Sequence, residues 1–145
     1  MIHRFAYPAV VNPDENDTVF IIFPDVPEAM TNGRNAAEAL DYAVDALTVA
    51  LSLYIDDDRD IPRPSRPKRG QPIVAVEPLA AVKLAIYQAM REAGITQAAL
   101  AARMKVNKKI VQRILDLDHQ STIEQLENAL AALGKELVIE VRDAA

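Results

Sequence analysis

The chain has no cysteine, only two histidines, and no uninterrupted apolar stretch near the roughly 18 residues that a membrane span requires. The lack of cysteine excludes a disulfide scaffold, a thiolate metal site and a cysteine nucleophile. His3 and His119 are so far apart that a paired acid-base or histidine-metal constellation would have to be assembled from distant parts of the chain. Glycine-rich phosphate loops and nucleophile motifs are missing too. The first twenty residues carry no basic flank followed by a long apolar run, so the expectation is a soluble, cytoplasmic protein. No enzymatic activity, cofactor or metal is expected.

The 145 residues are 50% hydrophobic and 26% charged, enough for one ordinary core or two small ones, and their charge is unevenly spread. Residues 1–61 have a balance of −9, residues 62–76 of +4, and residues 77–145 of zero. An acidic part, a basic tether and a neutral part suggest two partners rather than one. The tether is also visible in Ile61 to Pro72, IPRPSRPKRGQP, whose four prolines favour an extended, solvated backbone. The expected division is therefore 1–60, 61–78 and 79–145.

In the first part, His3 to Val11 and Thr18 to Phe23 are rich in β-branched and aromatic residues and flank the turn-forming NPDENDT, which predicts a hairpin. A third short strand is expected at Ala29 to Thr31. Leu40, Val44, Leu47, Leu51 and Tyr54 then recur at spacings of 4, 3, 4 and 3, which puts one apolar stripe on a helix over 36–55 that covers the sheet. Ile73 to Val76 is a last strand, returning to the sheet or leading into the next part.

The second part reads as helices. Leu79 to Ala93 ends at Gly94, Thr96 caps the next helix with Leu100, Ala101 and Met104 inward, and Asn107 caps the one after it. A fourth helix runs from about Thr122 to Leu133 and stops at Gly134. The segment Arg103 to Arg113, RMKVNKKIVQR, holds five positive charges and no negative one. Counted from Lys108 at about 100° per residue, Ile110, Val111, Ile114 and Leu115 fall on one side and Lys109, Gln112 and Arg113 on the other. The pattern is helix, tight turn, basic helix. Lys108, Lys109, Gln112 and Arg113 are long donors suited to base edges or phosphates in a major groove, with Asn107 beside them. Gln97, in the first turn of the preceding helix, is placed for a backbone phosphate.

The stretch ITQAALAARMKVNKKIVQRIL resembles the helix-turn-helix of the phage-repressor (Xre-like) family. The first sixty residues resemble HicB antitoxins through YPAVV, the FIIFPDVPEAMTNG segment, and an alanine-rich helix that exits in IPRPS. This second resemblance implies an N-terminal domain shaped like a partial ribonuclease H fold that inhibits HicA, a small basic toxin that cleaves RNA, and a DNA-binding domain that represses the toxin-antitoxin operon. The fold expected is α+β: a small antiparallel sheet under one helix, a Pro/Arg-rich tether, and an all-α helix-turn-helix part ending in a strand. Lys105 stands where a glycine often precedes the recognition helix, and a left-handed residue there would cost roughly 1 kcal/mol or more.

Under this resemblance the acidic first part suits a positively charged toxin, with Asp14, Glu15, Asp17, Asp25 and Glu28 as candidate contacts, each also readable as an ordinary surface acid. KELVIEVR, Lys135 to Arg142, alternates as a strand with Leu137, Ile139 and Val141 on one side. Pairing with the same strand of a second copy would give a homodimer, open to further pairing into a tetramer; the alternative is pairing with Ile73 to Val76. The competing functions are a free-standing repressor with a ligand pocket lined by Phe5, Tyr7 and Phe23, and a nuclease-like enzyme. The Asp56-Asp57-Asp58-Arg59-Asp60 run reads as a solvated helix exit.

Overall fold

The computed structural model describes residues 5–14 and 16–144. His3 and the candidate Glu15 lie outside the described residues.

The single strand expected over 3–11 is two short ones, β1 (Ala6–Pro8) and β2 (Val10–Pro13). Pro8 has no N–H for a ladder, and the run changes partner at the next residue. Before Ala9, β1 pairs antiparallel with β5 (Ile73–Ala75), Tyr7 opposite Val74. The Ala9 amide donates to Pro72 O, and beyond it β2 pairs with β3 (Val19–Ile22). The segment after the prolines thus returns to the N-terminal part. The hairpin between β2 and β3 forms as expected. At its tip the Asp14 amide donates to Thr18 O at 2.7 Å and Asp17 takes a left-handed φ of 60°.

The third strand, β4 (Met30–Gly33), lies slightly later than expected and pairs with β3. Helix α1 (Ala36–Asp56) packs on this sheet, its first turn capped by Asn35, whose side chain accepts from the Glu38 amide. Gly33 is required there: a Cβ on it would sit 2.6 Å from the Ala39 nitrogen, against helix backbone that cannot yield. The expected stripe lies on the core side, with Leu40 and Val44 packed at its edge, and this close approach widens it toward Ala39 and Ala43. The buried face is Ala39, Ala43, Leu47, Ala50, Leu51 and Tyr54, whereas Leu40 and Val44 are only half-buried. Small side chains in the first half of α1 let the helix settle close to β4, which larger ones would prevent.

Helices α2 (Pro78–Ala93), α3 (Gln97–Met104), α4 (Lys108–Leu115) and α5 (Ile123–Ala132) follow, with Gly94 and Gly134 in left-handed conformation past α2 and α5. Thr122 and Gln125 form a reciprocal capping box on α5. One hydrophobic cluster runs from Phe5 through Tyr54 and Tyr87 to Leu130, so the two ends of the chain share buried contacts. Polar bonds reinforce the junction. The Tyr87 hydroxyl donates to Arg59 O at 2.8 Å, and Arg91 pairs with Asp60 at 2.7 Å. Between Ile61, which is buried, and β5, the proline-rich segment is largely exposed.

The strand expected at the C-terminus does not form in the single chain: residues 135–144 have no regular secondary structure. A strand exists only through its neighbour, and β5, the partner considered within the chain, pairs with β1. Leu137 packs on the core, while Val138, Ile139 and Val141 are exposed. No described helix is long and apolar enough to cross a membrane.

Candidate nucleic-acid interface

The interface is built from local rules. Thr96 Oγ1 accepts from the Ala99 amide at 3.1 Å and opens α3. Past the end of α3, Lys105 adopts φ 59° and ψ 43°. The chain folds back there, with the Val106 amide donating to Ala101 O and the Lys105 amide to Ala102 O. This closure normally uses glycine, as at Gly94, where the Ile95 and Gly94 amides make the same pair of bonds to Met90 O and Arg91 O. Asn107 Oδ1 then accepts from the Ile110 amide at 3.2 Å and starts α4.

Helix α4 separates cleanly. Val111, Ile114 and Leu115 are buried and Ile110 is half-buried, while Lys108, Lys109, Gln112 and Arg113 are exposed together. Asn107 is exposed at the start of that face, its side chain committed to the cap. Gln97 is half-buried and shares with Lys108 the lining of a hollow of about 550 Å³, beside Thr96, Arg91 and Asp58. The structure therefore brings the six expected residues onto the outer side of the α3–α4 pair, four of them on one continuous basic face.

One residue that positions this face was missed in the sequence. Lys83, on α2, is fully buried, and its ammonium donates to Arg113 O at 2.8 Å, Asp116 O at 2.7 Å and Ser121 Oγ at 3.0 Å. The last carbonyls of a helix have no partner within the helix and carry partial negative charge, and an ammonium satisfies both needs. Burial pushes the Lys83 pKa below the usual lysine value, opposed by the Asp116 carboxylate. The signal was present: Ala80, Leu84 and Tyr87 share the buried face of α2, and position 83 falls among them.

The candidate acids scatter. Asp14 and Asp17 sit exposed at the β2–β3 tip, where Asp14 accepts from Thr18 Oγ1. Asp25 accepts from both the amide and the hydroxyl of Ser65 at 2.9 Å. Glu28 accepts from the Tyr54 hydroxyl at 2.6 Å and pairs with Arg59, and the first of these bonds does most to hold its carboxyl below the usual range. Arg59 lies 4.0 Å over the Tyr54 ring. Asp25 and Glu28 thus fasten the exit of α1 to the loop before β4.

These bonds tie together the segments that carried the resemblance. Asp25 of PDVP holds Ser65 of IPRPS, and Tyr7 of YPAVV donates to Pro62 O at 2.7 Å. Residues 6–85 match a family model described as "HicB_like antitoxin of bacterial toxin-antitoxin system". The chain belongs to the HicB-like antitoxin family. Antitoxin HicB 1 of Photorhabdus laumondii subsp. laumondii is 37% identical over 141 residues, 97% of this chain and 90% of that protein. Antitoxin HicB of Escherichia coli (strain K12) is 35% identical over 131 residues, 90% of this chain and 95% of that protein, and that of Pseudomonas fluorescens (strain Pf0-1) is 34% identical over 132 residues, 90% of each. The family model covers the strands, α1 and the first part of α2 including Lys83, and in this HicB-like antitoxin the α3–α4 pair follows directly.

Proposed function

We propose that this HicB-like antitoxin neutralises a HicA-like RNA-cleaving toxin with its N-terminal part and represses its own operon by laying α4 in the major groove of operator DNA. The observation that carries the DNA half is the amphipathic split of α4, with an apolar back sunk in the core and Lys108, Lys109, Gln112 and Arg113 facing out. A helix so anchored presents its donors at fixed spacing, as base-edge and phosphate recognition require. Asn107 at its start and Gln97 at the first turn of α3 extend the contact toward the phosphate backbone. The toxin half rests on family membership and on charge. A toxin that grips RNA is positive, and the −9 balance of residues 1–61 both steers it and competes for its surface.

Operator half-sites one turn of DNA apart call for two α4 helices, and we place the homodimer contact in the C-terminal part, at residues 135–142. A cytoplasmic location follows from a partner that is DNA. The ligand-sensing repressor has no support in the fold, since Phe5, Tyr7 and Phe23 are packed into the core instead of lining an opening. The deciding experiment is titration of the promoter fragment with the full chain and with Lys108→Ala, Lys109→Ala, Gln112→Ala and Arg113→Ala combined. The wild type should bind with affinity that falls steeply with salt, and the variant should lose binding while melting normally. Unchanged binding by the folded variant would remove α4 from the interface.

A further inference from the structure

Helix α1 carries a second apolar stripe that faces solvent. Tyr42, Val49 and Leu53 are 51%, 60% and 45% exposed, and with Ala46 they recur at spacings of 4, 3 and 4. At about 100° per residue these four side chains fall within about 60° of each other on the helix. They form a ridge about 16 Å long at 1.5 Å per residue. Nothing in the fold of the described residues explains them. The sheet is covered by the Ala39, Ala43, Leu47, Leu51 face, and the outer side of a surface helix is normally polar.

Beside the stripe, on the side away from the core, lie Asp45 and Asp56, within about 60° of Tyr42 by the same count, with Asp41 further round; Glu38, on the same side, is paired with Arg34 at 2.9 Å. Helix α1 contains no Lys or Arg at all. An apolar ridge with an acidic border fits a partner whose own apolar patch has a basic border. A second copy does not meet that requirement, because two such helices packed on their stripes would set acid beside acid, with no cation in either helix and Arg34, just before it, already paired with Glu38. The C-terminal segment 135–144 does not meet it either, since its three acids outnumber its two basic residues.

We propose that the Tyr42, Ala46, Val49, Leu53 ridge is the docking surface for the basic toxin and the energetic centre of that contact, with the hairpin-tip acids serving encounter only. The assignment rests on the antitoxin reading above and places its contact. Large apolar side chains at the middle of an interface carry most of its binding energy, whereas rim charges chiefly alter association rate and salt dependence.

The test uses the full chain and the small basic protein encoded by the adjoining reading frame, with calorimetry for Kd and light scattering for mass. Val49→Lys combined with Leu53→Lys should weaken binding at least about 100-fold, and Val49→Ala with Leu53→Ala at least about tenfold, since both positions are exposed and alanine favours helix. Asp14→Lys with Asp17→Lys should change Kd by less than about tenfold and act mainly on the association rate at low salt. Wild-type binding that survives both stripe variants would overturn the docking surface and leave the antitoxin reading standing. Failure of the wild-type chain to bind that protein would overturn both. A drop in mass of the chain alone in the stripe variants would make a second copy the occupant, and the assignment would be wrong.

Discussion

Lys83 Nζ lies 2.8 Å from the carbonyl oxygen of Arg113, so a residue of α2 closes the C-terminus of the helix that presents the basic face. The same ammonium holds Asp116 O and Ser121 Oγ, and thereby the loop into α5. Lys83→Met would fill the volume and remove three charge-assisted hydrogen bonds, leaving Arg113 O with only the Asp116 amide, Asp116 O with only the His119 amide, and Ser121 Oγ beside His119 Nδ1. The expected loss is about 2–4 kcal/mol, from the three lost bonds to a charged donor less the relief of no longer burying that charge, measured as a fall in urea midpoint. The pH dependence separates charge from packing. Because the Lys83 pKa is lowered on folding, the unfolded chain binds more protons between that value and the ordinary one near 10.4, and stability from this group rises with pH across the window. The methionine variant should lack that rise, so the difference in stability between wild type and variant should widen from neutral pH toward pH 10.

The local rules were legible where they are self-contained. The caps at Thr96 and Asn107, the stops at Gly94 and Gly134, and the inside and outside of α4 each depend on a few adjacent residues, and all form as the sequence indicates. What was not legible depends on which surfaces meet. That the buried face of α1 extends to Ala39 and Ala43 rests on the approach of Gly33 to Ala39, a contact that helical periodicity cannot contain. The role of Lys83 was not legible because its acceptors lie some thirty residues away in sequence. The segment at the C-terminus has the alternation of a strand but no neighbouring strand among the described residues, and alternation alone makes no hydrogen bonds.

Lys105 stores strain that can be removed. Its φ of 59° is a left-handed conformation that glycine enters freely and a residue with Cβ does not. Lys105→Gly should therefore stabilise the chain by about 1 kcal/mol, read as a higher urea midpoint with an unchanged slope. Lys105→Val, β-branched and poorly suited to positive φ, should destabilise it. Equal stability of the three chains would mean that the turn relaxes freely.

Asp25 and Ser65 form a latch between the loop before β4 and the middle of the proline-rich segment. That segment carries Lys68 and Arg69, both exposed and neither followed by proline, so trypsin reports on its attachment. Asp25→Ala removes the acceptor of both bonds. Cleavage after Lys68 and Arg69 should speed up severalfold under native conditions, with a loss of global stability of only about 1–2 kcal/mol for two partly exposed hydrogen bonds. Ser65→Ala keeps the amide bond and should give an intermediate rate. Tryptic rates unchanged in both variants would show that the prolines and the buried Ile61 hold the segment without the latch.

The exposed Val138, Ile139 and Val141 set an expectation for assembly. Unpaired in one chain, Ile139 and Val141 on one side and Val138 on the other leave apolar surface that would invite association of any kind, and a two-fold antiparallel pairing of the same segment in two copies would give each a partner. Removing residues 135–145 should convert a dimer to a monomer by light scattering, with α1 to α5 still folded by circular dichroism. DNA affinity should then fall by at least about a hundredfold, because one α4 helix forfeits the effective concentration supplied by its twin. Ile139→Glu with Val141→Glu, which keeps the chain length, should do the same. A dimer of unchanged mass in both variants would place the two-fold contact on another surface.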